Sequence, residues 1–407
     1  MTTLLILAGL LVALYLGGYA ALSLIWIVVG KSKSNTSGKL HSYNPEILII
    51  LPAYRPGPIF REVLEAVAQA IGKRNIQVLV LLQHADEAFA KLARTKGFFV
   101  EQRAFDHLPG NSYQHALRYL CGRISALQSE GEINPEFVML LDKDNLISAD
   151  FFDHIPSHVY DRYDIIQGQR LSIDTKNAIS FFDHLTERLN DTMFRQAKQN
   201  LGLMVELSGS GALIETDLFL ETVGKLDPNA PGFDKNFMVQ LLQSARTVRT
   251  IFWPHSTLRE EKTSSQAAHN PQRVRWFGEQ YYNACYSAGI LLKAAWQYKR
   301  IAPIDYLITL CRPPRSVQLV LIAALTVAEW IVFWWRGAWP LQYPLFTAAA
   351  LLQVVAILIF LQRHRALARS LRYAVYLPSL ALHNFSNAMK SLRKENRGTF
   401  IHTPHQL

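Results

Sequence analysis

The sequence is poor in cysteine, in charge and in repetition. Its 407 residues include only three cysteines, Cys121, Cys285 and Cys311, with no C-x-x-C spacing. That excludes a disulfide framework and a cysteine-ligated zinc cluster, and fits a central segment lying in a reducing compartment. Charged residues make up 18% of the chain and hydrophobic ones 50%. Soluble domains carry roughly 25% charge, so disorder and coiled coil are both excluded. No internal repeat or low-complexity tract is present. Acidic residues are scarcer than basic ones, 32 against 42, for a formal net charge of +10. Such an excess suits nucleic acid, an anionic membrane face or phosphorylated substrates, and the placement of the charges decides among them.

Three long apolar runs govern that placement. Leu4 to Gly30 carries no charge and exceeds the roughly 20 residues needed to cross a bilayer. It lacks the basic start of a secretory signal and is longer than the ~7–15 residue apolar core of one, so it reads as a retained anchor. Val317 to Trp335 and Pro340 to Leu361 flank a turn containing Arg336 and Gly337, and read as a transmembrane hairpin. Lys31, Lys33 and Lys39 follow the first run, Arg312 and Arg315 precede the second, and Arg363, Arg365, Arg369 and Arg372 follow the third. The positive-inside rule puts all of them on the cytoplasmic side. The net charge thus belongs largely to a membrane boundary, and a nucleic-acid partner loses its support. Tyr373 to Leu392 mixes apolar residues with Pro378, His383, Asn384 and Asn387, and is expected to lie at the interface or re-enter rather than span. Glu329 stands inside the second run, either as a functional group or as a partner of Arg336.

Between the anchors, β-rich runs alternate with helical patterns, which points to an α/β domain. The strands are expected at Glu46–Ala53, Ile76–Gln83, Phe98–Arg103, Phe137–Leu141, Asp164–Gly168 and Val248–Trp253, with helices such as Ile59–Ile71 and Ser112–Leu127 between them. Several strands are hydrophobic throughout, as in a mostly parallel sheet covered on both faces. A ligand site then lies beyond the carboxyl ends of the strands. The run Phe137–Leu141 is followed there by Asp142-Lys143-Asp144-Asn145. Carboxylates two apart in extended chain point the same way and can converge on one hard cation. Such a cation can bridge a diphosphate and neutralise the charge that develops as it leaves. An acidic pair after a strand is also a common turn or helix-cap feature.

Around this pair stand Leu51-Pro52-Ala53-Tyr54-Arg55, Gln83-His84-Ala85-Asp86, Ser208-Gly209-Ser210-Gly211, Gly232-Phe233-Asp234-Lys235 and Gln272-Arg273-Val274-Arg275-Trp276. In this order, over about Pro45 to Trp276, they resemble the membrane-embedded family 2 glycosyltransferases of GT-A fold, which include cellulose, chitin and hyaluronan synthases and the ceramide glucosyltransferases. The resemblance implies that Pro52 and Tyr54 contact the nucleotide, with Tyr54 on the base or ribose, and that Asp86 hydrogen-bonds the nucleoside. It implies a divalent cation, Mg²⁺ or Mn²⁺, on Asp144 with Asp142 beside it. Gly209, Ser210 and Gly211 would form the loop that lets backbone approach the donor sugar or acceptor. Asp234 would be the general base, Gln272 and Arg275 the diphosphate-holding part of Q-x-x-R-W, and Trp276 the border of the acceptor site. Two departures stand out: relatives carry Asp-Asp where this chain has Leu82-Gln83, and Phe233 replaces the glutamate that usually precedes the base.

The expected layout is an anchor at 1–30, a basic linker at 31–44, the GT-A domain at 45–275, amphipathic interface helices at 276–315, the hairpin at 316–362 and a cytoplasmic or interfacial tail at 363–407. The resemblance implies an inverting, multi-pass enzyme of the plasma (inner) membrane with its catalytic domain in the cytoplasm. It would move sugar from a nucleotide-sugar donor, by default uridine diphosphate-linked, to a membrane lipid or a growing glycan. Envelope polysaccharide synthesis is supported by Gly398-Thr399-Phe400-Ile401-His402-Thr403-Pro404, which resembles the tail of bacterial polysaccharide synthases. Glycolipid synthesis is supported by Gln83-His84-Ala85-Asp86, which is similar to ceramide glucosyltransferases. A catalytically silent membrane scaffold is the third reading, and export or synthase subunits stay open.

Overall fold

The computed structural model describes residues 2–31, 44–262 and 265–393. Lys33, Lys39 and the tail motif at 398–404 lie outside the described residues. The chain opens with helix α1 (Thr2–Val29) and continues through β1 (Ile47–Tyr54), α2 (Ile59–Ile71), β2 (Ile76–Gln83), α3 (Glu87–Thr95), β3 (Phe99–Gln102), α4 (Ser112–Ser129) and β4 (Phe137–Leu140). A two-residue strand, β5 (Leu146–Ile147), precedes α5 (Ser157–Arg162), β6 (Ile165–Ser172) and α6 (Ala178–Asn190). One π-helical turn, Asp191–Gln196, joins α6 to α7 (Ala197–Asn200). Then come β7 (Ala212–Glu215), α8 (Thr216–Gly224), α9 (Phe233–Gln243), β8 (Thr250–Glu260), α10 (Gln266–Tyr298), α11 (Ala302–Leu310), α12 (Arg315–Arg336), α13 (Leu345–Arg363), α14 (Leu367–Arg372) and α15 (Leu377–Ser391).

The strands form one sheet in the order β3-β2-β1-β4-β7-β6-β8-β5. The β3-β2-β1-β4 half is parallel throughout, β7 is antiparallel to both of its neighbours, and β6 pairs parallel with β8. This is the GT-A α/β arrangement. The continuous hydrophobicity of β1 follows from burial on two sides. Ile47, Ile49 and Leu51 face one core with Phe60, Val63, Leu64 and Val67 of α2, whereas Leu48 and Ile50 face the other with Leu117, Leu120 and Ile124 of α4. Each fully buried aliphatic side chain contributes about 1.5–3 kcal/mol, so these two layers fix the strand order. α2 starts after Pro56-Gly57-Pro58, and α4 is capped by Asn111, whose Oδ1 accepts from the Tyr113 amide at 3.0 Å.

Two strands escape the sequence pattern. β7 and β5 are four and two residues long, too short to show a period of two. β5 pairs with β8 at the far edge of the sheet. The 142–145 turn therefore carries the chain from the middle of the sheet to that edge.

α1, α12 and α13 each contain a stretch long and apolar enough to cross a membrane: Leu4–Val29, Arg315–Arg336 and Leu345–Arg363. α15 packs along α10 and α12, and Asn387 Nδ2 donates to Asn270 Oδ1 at 3.0 Å. Glu329 is neither a partner of Arg336 nor part of the catalytic domain. Its carboxylate is 1% exposed and accepts from the Phe346 and Thr347 amides at 3.2 and 2.8 Å and from Thr347 Oγ1 at 2.7 Å. It caps the amino terminus of α13, whose first amides have no intrahelical acceptor. Glu329→Ala leaves them unsatisfied in apolar surroundings. The expected loss is about 1–3 kcal/mol, seen as a lower unfolding temperature in detergent, with the smaller loss for Glu329→Gln.

Candidate active site

The parallel half of the sheet presents the ends of β1, β2, β3 and β4 at one edge, and the chemistry-bearing residues collect there. Asp142 follows β4 by one intervening residue. Its amide donates to Asn145 Oδ1 at 3.1 Å, the Asn145 amide donates back to the Asp142 carbonyl at 3.1 Å, and Asn145 Nδ2 donates to Asp144 Oδ1 at 3.2 Å. Asn145 is fully buried, so this turn is locked from inside. Lys143 reaches back to β1, where its ammonium donates to the carbonyls of Tyr54 and Arg55 at 2.8 and 3.3 Å. The acidic turn and the proposed nucleotide-contact segment are thereby tied together.

Asp142 sits in a conflicted field. Burial raises its carboxyl from the usual 3.8 to about 7, and the neighbouring Asp144 and the more distant Glu260 push the same way. Arg170 and a 3.4 Å hydrogen bond from the Tyr113 hydroxyl pull back. Arg170 itself is held by Glu260, its Nε donating to Oε2 at 3.0 Å, and it donates to the Ser208 carbonyl. Burial disfavours its charge, yet Glu260, Glu187 and Asp142 outweigh that and keep the guanidinium firmly protonated.

The Ser208–Gly211 loop closes one side. Ser208 accepts Arg170 and donates its amide to Gln167 Oε1 at 3.0 Å, while Gln167 Nε2 donates to the Ser210 carbonyl at 3.1 Å. Gly211 has φ +71°, and a Cβ there would lie 2.4 Å from Leu258 Cδ2, so only glycine fits. A Cβ on Gly209 would stand 3.9 Å from the Asp234 Cβ, which brings the loop beside the first turn of α9. Tyr113 completes this wall, its ring meeting Phe233 edge-on at 5.7 Å. The residue that departs from the family pattern thus packs against the tyrosine that contacts Asp142.

The Q-x-x-R-W residues lie on α10. The Arg275 guanidinium stands 3.6 Å from Glu279, one turn further along, and Glu279 is 4.0 Å from Lys235, which itself lies 3.4 Å from Asp234. Burial raises the Glu279 carboxyl, against the opposing pull of Lys235 and Arg275. The Trp276 ring is covered by Arg273, 4.6 Å from its centroid, and Arg273 is anchored to Asp183 of α6. The Gln272 Oε1 atom is buried without a hydrogen-bond partner.

Asp86 is placed differently from the rest. Its carboxylate caps α3, accepting from the Ala88 amide at 2.8 Å. The acidic group beside Tyr54 is instead Asp106, which pairs with His84 Nε2 and bonds the Tyr54 hydroxyl. The His84 hydrogen bond holds the Asp106 carboxyl below its usual range. The His84 ring stands edge-on to Tyr54 at 5.5 Å, and Arg55 covers that tyrosine at 5.3 Å. Asp106, Arg170, Tyr113 and Glu279 were not singled out by the sequence. Glu279 alone carried a signal, its i, i+4 spacing from Arg275.

Among the described residues no group of three or more His, Cys, Asp or Glu side chains is arranged as a metal site. Asp142 and Asp144 alone still fit a hard divalent cation whose other ligands are diphosphate and water oxygens. The rise of the Asp142 carboxyl to about 7 comes first from burial and then from the neighbouring Asp144, and a cation bound to the pair would oppose both.

Linkage gives a test in metal-free protein. A carboxyl raised in the fold contributes stability below its unfolded value, and this is lost as pH rises through the folded value. Stability should therefore fall between pH about 4 and about 7, by up to about 1.4 kcal/mol per pH unit from this group. Asp142→Asn should remove that component, read as the difference between two chelator-treated unfolding series. Gly211→Ala should cost about 1–3 kcal/mol through its positive φ and the clash with Leu258.

Comparison with known proteins supplies the family. No curated protein matches the chain at a meaningful level. A mannosyltransferase, PcManGT from Pyrobaculum calidifontis, solved in complex with GDP-Man and Mn²⁺, superposes with a TM-score of 0.57 at 16% identity, covering 96% of this chain and 99% of that one. Glucosyl-3-phosphoglycerate synthase from Mycobacterium tuberculosis, solved with Mn²⁺, UDP-glucose and phosphoglyceric acid, matches at a TM-score of 0.38 and 15% identity, over 57% of this chain and 78% of its own. Residues 45–279 match the family model described as glycosyltransferase like family 2, and the chain belongs to that family of glycosyltransferases.

Proposed function

We propose that the chain transfers a sugar from a nucleoside-diphosphate sugar to a hydroxyl acceptor at a membrane face, with inversion at the anomeric carbon, in the assembly of cell-envelope polysaccharide. The observation that carries the reading is the convergence of Asp142, Asp144, Tyr113, the Ser208–Gly211 loop and Asp234 on one edge of the sheet. The three apolar helices and the basic residues beside them support a reading in which this edge faces the cytoplasm at the plasma (inner) membrane.

In this reading Pro52 and Tyr54 border the base, with Asp106 the nearby carboxylate and Asp86 serving α3. Asp142 and Asp144 would hold a divalent cation, Mg²⁺ or Mn²⁺, whose charge would offset that of a diphosphate leaving group. Gln272 and Arg275 hold the diphosphate from the α10 side, the arginine by charge-assisted hydrogen bonds. Asp234 takes the proton of the attacking hydroxyl as that oxygen bonds the anomeric carbon and the bond to the diphosphate breaks. Gly209, Ser210 and Gly211 give backbone access to the sugar, and Trp276 borders the acceptor. Lys235 lies 3.4 Å from Asp234, and Glu279 stands between Lys235 and Arg275, 4.0 and 3.6 Å from them.

The test is nucleoside diphosphate release by detergent-purified protein supplied with UDP-glucose, GDP-mannose and other donors, with Mg²⁺, Mn²⁺ or chelator. One donor should be turned over only with metal. Asp234→Asn should lower turnover by about 10²–10⁴-fold with donor affinity retained. Asp144→Asn should abolish the metal response. Metal-dependent donor binding with no turnover of any donor, under acceptor-replete conditions, would leave the silent-scaffold reading in its place.

A further inference from the structure

Three polar side chains gather where β1 and β2 end, and the transfer chemistry does not use them as a group. The Asp106 carboxylate, from the loop between β3 and α4, accepts from His84 Nε2 and from the Tyr54 hydroxyl. These two groups and its own amide take part of its acceptor capacity, and 41% of the side chain stays open to solvent. An ionised carboxylate only accepts hydrogen bonds. Whatever meets its open edge must therefore donate.

The backbone beside it is strained. Arg55 has φ +43° and His84 φ +50°, left-handed values that side chains rarely adopt. The Arg55 amide donates to the Gln83 carbonyl at 2.8 Å, and the Lys143 ammonium holds the carbonyls of Tyr54 and Arg55, so the turn after β1 is braced from two sides. An exposed His–Asp pair adds too little stability to account for this. Strain of this kind persists where a site must keep one shape.

Position indicates what the carboxylate meets. In the strand order β3-β2-β1-β4, Asp142 and Asp144 follow β4, whereas His84 follows β2 and Asp106 follows β3. The two groups are thus separated by two to three strand spacings of about 4.8 Å. A nucleoside diphosphate with its phosphates at the acidic turn and its ribose near β1 extends its base toward Asp106. The bases differ in what they offer there. Guanine presents N1–H and the N2 amino group side by side, two donors that one carboxylate can take together. Uracil has a single N3–H between two carbonyl oxygens, which a carboxylate repels. Adenine and cytosine each set a ring-nitrogen acceptor beside the amino group.

We infer that Asp106, oriented by His84 and Tyr54, reads the Watson–Crick edge of guanine and makes the chain select a guanosine diphosphate-linked donor. The inference rests on the transferase reading and names its donor, in place of the uridine default.

The experiment measures equilibrium binding of nucleoside diphosphates, with Mn²⁺, to the full-length protein in neutral detergent. The probes are GDP, UDP, ADP, inosine diphosphate, which is GDP without the N2 amino group, and xanthosine diphosphate, which carries a carbonyl there. GDP should bind at least tenfold more tightly than UDP, ADP or inosine diphosphate. Asp106→Asn should weaken GDP tenfold or more and strengthen xanthosine diphosphate by a similar factor, because an amide donates where the carboxylate only accepts. A merely structural role for Asp106 would shift all the nucleotides together, and a damaged fold would strengthen none. Tighter binding of UDP or ADP, equal affinity for GDP and inosine diphosphate, or unchanged preferences in Asp106→Asn would overturn the inference. In each of those cases a nucleotide still binds, and the transferase reading stands. If no nucleoside diphosphate binds, the transferase reading fails and this inference falls with it.

Discussion

Two carboxylates placed at the end of a buried strand cannot both stay charged at neutral pH without compensation, and the surroundings of Asp142 and Asp144 are organised about that constraint. The strand end is desolvated because helices cover β4 on both faces. The turn that displays the pair is closed by Asn145, which spends both its amide groups on it. Arg170 supplies a distant positive charge, yet it is itself neutralised by Glu260 and directed at the Ser208 carbonyl. Tyr113 supplies one hydroxyl. The Lys143 ammonium also interacts with both carboxylates, and a cation seated on such a turn can carry a diphosphate with it.

The same logic extends through buried ion pairs toward the apolar helices. Arg273 joins α10 to α6 through Asp183, Arg195 links the π-helical turn to Glu187, and Lys198 joins α7 to α11 through Asp305 at 2.6 Å. Such pairs add little net stability, because desolvation offsets their attraction, but breaking one leaves an isolated buried charge. They therefore act as register pins. They set the angle at which α10, with its arginine and tryptophan, meets the catalytic sheet, and they bring Phe194 under Arg312 and Arg315.

The sequence was informative where a property is local. The strands of the parallel half could be read because two-sided burial makes them hydrophobic without interruption, and the acidic turn because it follows one of them directly. The three apolar helices were plain from length alone. β7 and β5 were not, since four and two residues carry no period. Asp86 could be read two ways: Asp86-Glu87 before an amphipathic run is as good a helix start as a nucleoside contact, and the cap is what the fold uses. Asp106 lies in a loop with no pattern and becomes relevant only because β1 and β3 end at the same edge. Arg170 and Glu260 are ninety residues apart and meet only through the pairing of β6 with β8. Glu329 could be read as a functional group or as a partner of Arg336, and only the packing of α12 on α13 reveals the amides it serves.

The donor half and the acceptor half differ for a related reason. The proposed donor contacts come from strand ends of one sheet, where a short motif and its strand are sufficient to define geometry. The proposed acceptor contacts come from helices: α9 gives Asp234 and α10 gives Trp276. A helix places a side chain only when its own packing is fixed, and here that packing depends on the ion pairs and on Gly232, whose φ of +81° lets α9 start against Glu279. Phe233, at the place where relatives carry a glutamate, follows from this arrangement. Its ring packs on Tyr113 and Phe237, and a carboxyl group near Asp234, the proposed base, is supplied by Glu279 from α10 although the local motif is not kept.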